Sequence, residues 1–181
     1  MGSLHYFLGL QVSRTADSLY VKQTKYAHDL LKKHNMLDCK PATSPYFPNK
    51  RLSLHDGDPL PDPHGYRSMV GALHYLTFTR LDISFAVHQV CQYMSATTTT
   101  HLAATKIVLH YIRGTLNHGI EFTPGPLSLS TYTYANWASD PGDRRSTSGF
   151  CIYLGSNAII WSTKKQPTMS RYSTEYRSIE L

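Results

Sequence analysis

A proline-rich stretch divides this sequence into two unlike parts. Between Lys40 and Pro63 the chain carries six prolines, at positions 41, 45, 48, 59, 61 and 63. Proline lacks a backbone N–H and clashes with the preceding turn of a helix, so it is excluded from helix interiors and central strands. The stretch is therefore predicted to be a long irregular excursion, and regular structure has to form on either side of it.

The residues before the prolines predict a β-hairpin followed by a helix. In LHYFLGLQV the apolar side chains alternate along the chain, and SLYVKQ follows after the polar turn RTAD, a pattern typical of a hairpin. The spacing then changes to that of a helix over KYAHDLLKKHNM. Its apolar side is predicted to consist of Ala27, Leu30, Leu31, His34 and Leu37.

The residues after the prolines change from a helical to a strand pattern near Leu116. From Gly65 to Gly114 the apolar spacing is helical, with a stripe of Leu102, Lys106, Leu109 and Ile112 in the last helix. GIEFTPG, LSLSTYTYAN, STSGFCIYLGS and NAIIWSTKKQ then read as short strands, and SRYSTEYRSIEL begins a helix. We therefore predict an α+β chain with two domains, residues 1–115 and 116–181.

Charge and cysteine usage limit the partners and the compartment. The formal net charge is +6 and the sequence pI is about 9.2, which favours anionic partners. Cys39, Cys91 and Cys151 are far apart and odd in number, so they predict reduced thiols rather than a disulfide framework or a metal site. The N-terminus lacks a signal-peptide pattern, and no window is apolar enough for a membrane span. We expect an intracellular protein, in cytoplasm or nucleus, with an organelle not excluded.

The order of these segments resembles the polyprotein of copia-type long-terminal-repeat retrotransposons, which are abundant in plants. YFLGLQV resembles the primer-grip strand of the reverse transcriptase, and QTKYAHDLLKKHNMLDCKPATSP resembles the start of its thumb. YRSMVGALHYLTFTRLDISFAVHQVCQYM and HYIRGT resemble the helices that follow. The segment from YTYANW to the C-terminal Leu181 resembles the first half of a ribonuclease H domain. The resemblance implies an N-terminal β-hairpin with a helical thumb-like module, then a truncated ribonuclease H-like antiparallel sheet with one helix.

The sequence departs from this family at the catalytic positions. The family's polymerase carboxylates lie upstream of the YFLG strand, with which this chain begins. In the ribonuclease H segment the two metal-binding acids of the family fall on Tyr134 and Asn136, and only Glu175 aligns with a catalytic acid. Ribonuclease H hydrolysis uses two divalent ions, which require several carboxylate ligands, and a phenol is neutral at pH 7. We expect vestigial positions only, with no catalytic residue, no metal site and no cofactor.

Basic residues in the same segment suggest a second kind of binding. The family's ribonuclease H domain holds an RNA–DNA hybrid, and five basic residues interleave here with aromatic ones: Arg144, Arg145, Lys164, Lys165 and Arg171. Such a face would contact phosphates and would be salt-sensitive, without base specificity. Asp140 and Asp143 could join Glu175 in an acidic cluster, but the DPGD sequence is more typical of a polar turn.

These observations favour a protein that works by binding rather than by catalysis. Leu127 to Trp161 is predicted to form three antiparallel strands, with unusually exposed side chains among Leu127, Leu129, Ile152, Leu154, Ile159 and Trp161. A truncated sheet of this kind exposes a strand edge and an apolar face, which favours a protein partner or self-association. The leading hypothesis is a non-catalytic, domesticated retrotransposon remnant. The alternatives are a sequence-independent nucleic-acid binder and, least favoured, a hybrid hydrolase completed in trans by another chain.

Overall fold

The described residues fold into four helices and two small antiparallel sheets. The computed structural model describes residues 5–46, 52–136 and 142–167. The strands are β1 (Tyr6–Phe7), β2 (Leu10–Arg14), β3 (Leu19–Lys22), β4 (Gly119–Phe122), β5 (Leu129–Asn136), β6 (Thr147–Leu154) and β7 (Asn157–Lys165). The helices are α1 (Thr24–Lys33), α2 (Pro63–Leu76), α3 (Ser84–Cys91), entered through a 3-10 turn at Leu81–Ile83, and α4 (Thr99–Gly114). The predicted α+β class is confirmed.

The N-terminal sheet has the order β1-β2-β3-β4 and differs from the predicted hairpin in two ways. The stretch predicted as one strand bends back at Leu8 and Gly9, whose φ angles are 49° and 78°. Positive φ at both central residues is the geometry of a tight two-residue hairpin turn, and it separates β1 from β2. The expectation of an unbroken strand over LHYFLGLQV is therefore wrong at this turn.

The fourth strand of this sheet comes from beyond the helices. β4 runs antiparallel to β3, with Gly119 opposite Lys22 and Phe122 opposite Leu19. A Cβ on Gly119 would lie 2.4 Å from the Val21 carbonyl oxygen, so only glycine permits this pairing. GIEFTPG was expected in the C-terminal sheet, and this assignment is corrected because β4 pairs with β3. The division into domains 1–115 and 116–181 stays a prediction.

The four helices share one apolar core. α1 contributes Ala27, Leu30 and Leu31, as its spacing predicted, and all three are buried. The stripe predicted for α4 is corrected at Lys106, which is exposed. The buried side of α4 instead consists of His101, Ala104, Thr105, Val108, Leu109 and Ile112.

Side-chain caps fix where two of these helices begin. Asp62 accepts hydrogen bonds from the backbone N–H groups of His64 (3.0 Å) and Gly65 (3.1 Å), and Pro63 occupies the first turn of α2. Thr98 caps α4 together with His101, whose Nδ1 accepts from the Thr98 backbone N–H at 3.1 Å. Both caps end the irregular segments that precede the helices.

The proline-rich stretch contains no helix and no strand of either sheet in its described residues, 40–46 and 52–62, as predicted. It is nevertheless held against the helices. The Tyr93 hydroxyl donates to the Leu52 carbonyl at 2.8 Å, and the Leu60 N–H donates to the Thr97 carbonyl at 3.0 Å. Leu52 belongs to a second buried cluster with Tyr66, Val70, Val90, Tyr93 and Ala104.

The C-terminal sheet is an antiparallel meander of order β5-β6-β7, which confirms the three strands predicted between Leu127 and Trp161. Eight residue pairs join β5 to β6, from Leu129 opposite Leu154 to Asn136 opposite Thr147. β6 and β7 pair with an irregularity between Ile152 and Tyr153. The helix predicted over SRYSTEYRSIEL lies outside the described residues.

Candidate functional site

The C-terminal sheet carries the two vestigial positions on β5. Tyr134 lies opposite Gly149 and Asn136 opposite Thr147 on the neighbouring strand. The Tyr134 side chain is 53% exposed. Glu175, the third vestigial position, lies outside the described residues. Within residues 5–46, 52–136 and 142–167, no group of three or more His, Cys, Asp or Glu side chains could hold a metal ion.

Strand pairing separates the side chains of the sheet into two faces. Tyr132, Cys151 and Trp161 are directly opposite one another on successive strands, so they share the face that we call the inner face. Thr131, Ile152 and Ile160 are likewise aligned and lie on the outer face. The inner face points toward the helices, because the Trp161 indole N–H bonds to the Thr77 carbonyl at the end of α2.

An aromatic cleft lies between the inner face and the helices. Its volume is about 410 Å³, and its aromatic lining comes from both sides: Tyr46 and Phe85 on one side, and Tyr132, Tyr134 and Trp161 from the inner face. Tyr46 and Phe85 form one wall, with ring centroids 5.7 Å apart. Sequence reasoning missed this wall, because no local pattern indicates that residues 46 and 85 approach a strand near residue 133.

Two hydrogen bonds attach β7 to the helices. The Trp161 indole N–H donates to the Thr77 carbonyl at 3.1 Å, and the Lys165 backbone N–H donates to His88 Nε2 at 2.9 Å. His88 therefore accepts through Nε2 and is neutral. Burial, followed by the nearby His74 and Lys165, lowers the pKa of His88 below its usual value.

The other end of β7 is attached to the segment that follows β4. The Thr123 N–H donates to Asn157 Oδ1 at 2.7 Å, and Asn157 Nδ2 donates back to the Thr123 carbonyl at 2.9 Å. β7 is thus tied to the rest of the chain at both ends. β5 is the outer strand at the opposite side of the sheet, with β6 as its ladder partner among the described residues.

The predicted basic residues that the structure describes do not share one face. Lys165 Nζ lies 2.9 Å from Asp143 Oδ2, and Arg145 Nε lies 3.6 Å from the same oxygen. Lys164 is adjacent to Lys165 in β7, so the two side chains leave opposite faces of the sheet. Arg144 lies in the segment that precedes β6, with a φ of 54°, and Arg171 lies outside the described residues.

Asp143 behaves as the turn residue that its sequence context favoured. Its Oδ1 accepts a hydrogen bond from the Arg145 backbone N–H at 3.0 Å, the local geometry by which aspartate stabilises a turn. The other two members of the alternative acidic cluster, Asp140 and Glu175, lie outside the described residues.

Large apolar side chains are exposed along β5 and β7. Leu127 is 85% exposed, Leu129 is 71% exposed, and Ile159 is also exposed, while Ile152, Leu154 and Trp161 are half-buried. The prediction that some of these six would be unusually exposed is confirmed. Tyr132 and Ile160, which are exposed as well, were missed, although the alternation along β5 and β7 could have indicated them.

The helices are short relative to a lipid bilayer. In the described parts of the chain, none is both long enough and apolar enough to cross a membrane.

Comparison with known proteins gives a consistent set of relatives. The chain is 48% identical over 179 residues to the retrovirus-related Pol polyproteins from transposons RE1 and RE2 of Arabidopsis thaliana. These matches cover 97% of the chain and 12% of each polyprotein, so the chain corresponds to a small part of their length. It is also 46% identical to an uncharacterized mitochondrial protein of the same plant, over 100% of the chain and 76% of that protein. No protein-family model matches the chain. No solved structure matches it either.

Proposed function

Because the chain belongs to the family of retrovirus-related Pol polyproteins of plant copia-type transposons, we propose that it is a non-catalytic remnant that binds other protein chains. The binding surface is the C-terminal sheet, at β5 and the apolar side chains beside it. In this role the chain is a domesticated host protein.

The residues at the vestigial positions support the absence of catalysis. A two-metal hydrolase needs several carboxylate oxygens converging on its ions. Tyr134 supplies a neutral phenol at pH 7, and asparagine at position 136 supplies a neutral amide in place of a carboxylate. Of the three family positions that this sequence covers, only Glu175 keeps a carboxylate.

The observation that carries the binding proposal is the character of β5. This strand is eight residues long and contains neither proline nor a charged residue. Among the described residues, it has no ladder partner on the edge opposite β6. Proteins normally protect exposed strand edges with charges, prolines or short length. An edge without these features favours the addition of another strand, and the exposed Leu129 at the start of β5 favours apolar contact.

The compartment is part of the proposal. The three cysteines are free, as expected for a reducing intracellular environment. A relative that is named as mitochondrial makes an organelle one place to look.

Capture from plant-cell extract with matched variants tests the binding proposal. Thr131→Lys combined with Thr133→Lys adds two positive charges to the β5 edge, and Ser13→Lys adds one to an exposed position of β2. We expect the unmodified chain and Ser13→Lys to retain the same proteins, this chain included, and the β5 double variant to lose them. A captured set that is indifferent to the β5 charges would contradict the proposal.

A second candidate function is sequence-independent nucleic-acid binding. The observation that favours it is the formal net charge of +6, with Lys164 exposed on β7. The ion pairs that Asp143 makes with Lys165 and Arg145 reduce the positive charge available at that end of the sheet. This candidate is therefore ranked second.

A further inference from the structure

The two edges of the C-terminal sheet are not equivalent, although neither β5 nor β7 has a further ladder partner among the described residues. At β7 the two ends are held by the Thr123–Asn157 pair and by the bond from the Lys165 N–H to His88. At β5 the outer edge has no ladder partner among the described residues. A sheet that can extend at one edge alone forms a closed pair when it meets a second copy, rather than an open fibre.

The sequence of β5 is suited to pairing with itself. It contains no charged residue, so a second copy brings no like-charge repulsion to the edge. A partner that is recognised by charge finds no complementary group on this strand. Antiparallel self-pairing requires a two-fold axis perpendicular to the sheet, and such an axis places inner-face residues opposite inner-face residues.

The cross-strand pairs that Tyr132 and Tyr134 can form indicate where along β5 the two-fold axis lies. With the axis at Thr133, Tyr132 of each copy faces Tyr134 of the other, which gives two reciprocal aromatic pairs on the inner face. With the axis at Tyr132, the strand makes a single tyrosine pair. Tyr132 is 66% exposed and Tyr134 is 53% exposed, so both rings have apolar surface to bury. Aromatic cross-strand pairs stabilise sheets, so the axis at Thr133 is favoured.

We propose that β5 pairs antiparallel with β5 of a second copy of this chain, about a two-fold axis at Thr133, to form a continuous six-stranded sheet. The inference rests on the proposed function, since it names the partner of the same strand. One strand edge is a small contact, and small interfaces are typical of weak complexes. Dissociation is therefore expected at roughly micromolar concentration.

Sedimentation and disulfide trapping of the full chain test this arrangement. Sedimentation velocity of the unmodified chain should show a monomer–dimer equilibrium that shifts with concentration. Thr133→Lys places two positive charges opposite each other at the axis and should weaken dimerisation at least tenfold. Ser13→Lys, which adds the same charge to β2, should leave dimerisation unchanged.

A single added cysteine reports the register. At the axis, the Cα atoms of Thr133 in the two copies would lie about 4.5–5.5 Å apart, within the range of a disulfide. Thr133→Cys should therefore form a disulfide-linked dimer under mild oxidation. In the same pairing, Ser130 and its copy are offset by six residues, or roughly 20 Å, so Ser130→Cys and the unmodified chain should remain unlinked.

Each outcome separates this inference from the proposed function. A monomer at all concentrations would overturn the second-copy proposal, and the proposed function would stand if extract capture still depended on β5. A dimer that is unaffected by Thr133→Lys, or a disulfide at Ser130 rather than Thr133, would overturn the register and the edge. Open-ended aggregates in place of a dimer would also overturn the closed pair.

Discussion

Two residues on β5 decide what chemistry the C-terminal sheet can perform. Tyr134 lies on the inner face beside the aromatic cleft, half exposed, where the resemblance implies a metal-binding aspartate. Its phenol adds apolar surface to the cleft and supplies no negative charge at neutral pH. At a position where the resemblance implies a metal ligand, this chain therefore carries a side chain suited to apolar contact.

The absence of these carboxylates predicts that purified protein does not hydrolyse an RNA–DNA hybrid. With Mg²⁺ or Mn²⁺ present, a labelled hybrid should stay at the no-protein background, because two ions lack their ligands. Gel analysis of the labelled RNA strand measures this. Reproducible cleavage that disappears in Glu175→Gln would contradict the prediction and would support a hydrolase completed in trans.

His101 is a buried residue whose bonds require the neutral ring. Its side chain is fully buried and stacks on Tyr93 with ring centroids 4.0 Å apart. Nδ1 accepts from the Thr98 N–H, and Nε2 lies 3.0 Å from the Ser53 carbonyl, to which it donates. Burial lowers the pKa of His101 below its usual value, and protonation would place an N–H against the N–H of Thr98.

Stability should consequently fall as the pH drops below about 6.5, the ordinary pKa of histidine. Burial also lowers the pKa of His34 and His88, so the unfolded chain binds more protons than the folded chain in this range. The stabilisation is complete above the unfolded pKa and is lost as the pH falls toward the folded pKa. Urea denaturation at pH 7.5 and pH 5.5 measures it, and His101→Gln should reduce the difference between the two midpoints. Equal midpoints for the unmodified chain would contradict this account.

At the scale of elements, local pattern predicted the helices better than the strands. The spacing in α1 identified Ala27, Leu30 and Leu31, because the buried residues of an amphipathic helix recur every three or four positions along the sequence. The pairing of β3 with β4 could not be read from either strand, since about a hundred residues separate them and alternation does not name a partner. The turn at Leu8 was missed because leucine rarely adopts positive φ.

Lys106 shows that the buried side of α4 lies slightly around the helix from the stripe that the sequence predicts. The sequence places Lys106 in the apolar stripe of α4, but the buried residues next to it are Thr105, Val108 and Leu109. Thr105 can be buried because its hydroxyl donates to the His101 carbonyl at 2.9 Å within the helix. A threonine whose hydroxyl is bonded within its own helix can be buried, but it is not counted as apolar in a sequence pattern. The predicted stripe therefore passes through Lys106 rather than Thr105.

The corrected α4 stripe gives a matched stability prediction. Leu109 is fully buried in the helical core, so Leu109→Ala should lower the free energy of unfolding by about 2–5 kcal/mol. Lys106→Ala, on the exposed side of the same helix, should change it by less than about 0.5 kcal/mol. Urea denaturation compares the two, and a larger loss for Lys106→Ala would contradict the assignment of the buried side.

The C-terminal end of β7 gives a prediction for nucleic-acid binding. If the chain binds an RNA–DNA hybrid, its affinity should fall roughly tenfold or more between about 50 and 200 mM salt. Lys164→Ala should weaken binding more than Lys165→Ala, because Lys165 already pairs with Asp143 at 2.9 Å. Fluorescence anisotropy measures both. Binding that ignores salt, or that depends on Lys165 alone, would count against this second candidate function.

At the scale of the whole molecule, the two sheets differ in how they are held. The N-terminal sheet gains its fourth strand from beyond the helices, so distant parts of the chain are tied together there. The C-terminal sheet is held through β7, by Trp161, His88 and Asn157, while β5 lies on the far side. The sequence predicted the three-stranded meander but not this attachment, since contacts between sheet and helix leave no periodic signal in either.

This attachment fits the proposal that the β5 edge, which has no outer ladder partner among the described residues, is available for binding. The helices supply their own core from α1 to α4, so the fold does not depend on covering β5. The apolar groups of β5 and its neighbours can then serve contact with another chain, because about 25 cal/mol is gained for each Å² of apolar surface buried. Binding through this edge, rather than catalysis, is the central claim for the molecule.

Hydrogen exchange of the backbone amides, followed by mass spectrometry, tests this claim most directly. The comparison is between the chain at high dilution and the chain in the complex recovered from extract, with itself or with another protein. Binding through β5 predicts slower exchange in peptides that cover Leu129–Asn136, and unchanged exchange in peptides that cover β2 and β3. Unchanged exchange in β5, with protection confined to the N-terminal sheet or the helices, would contradict it.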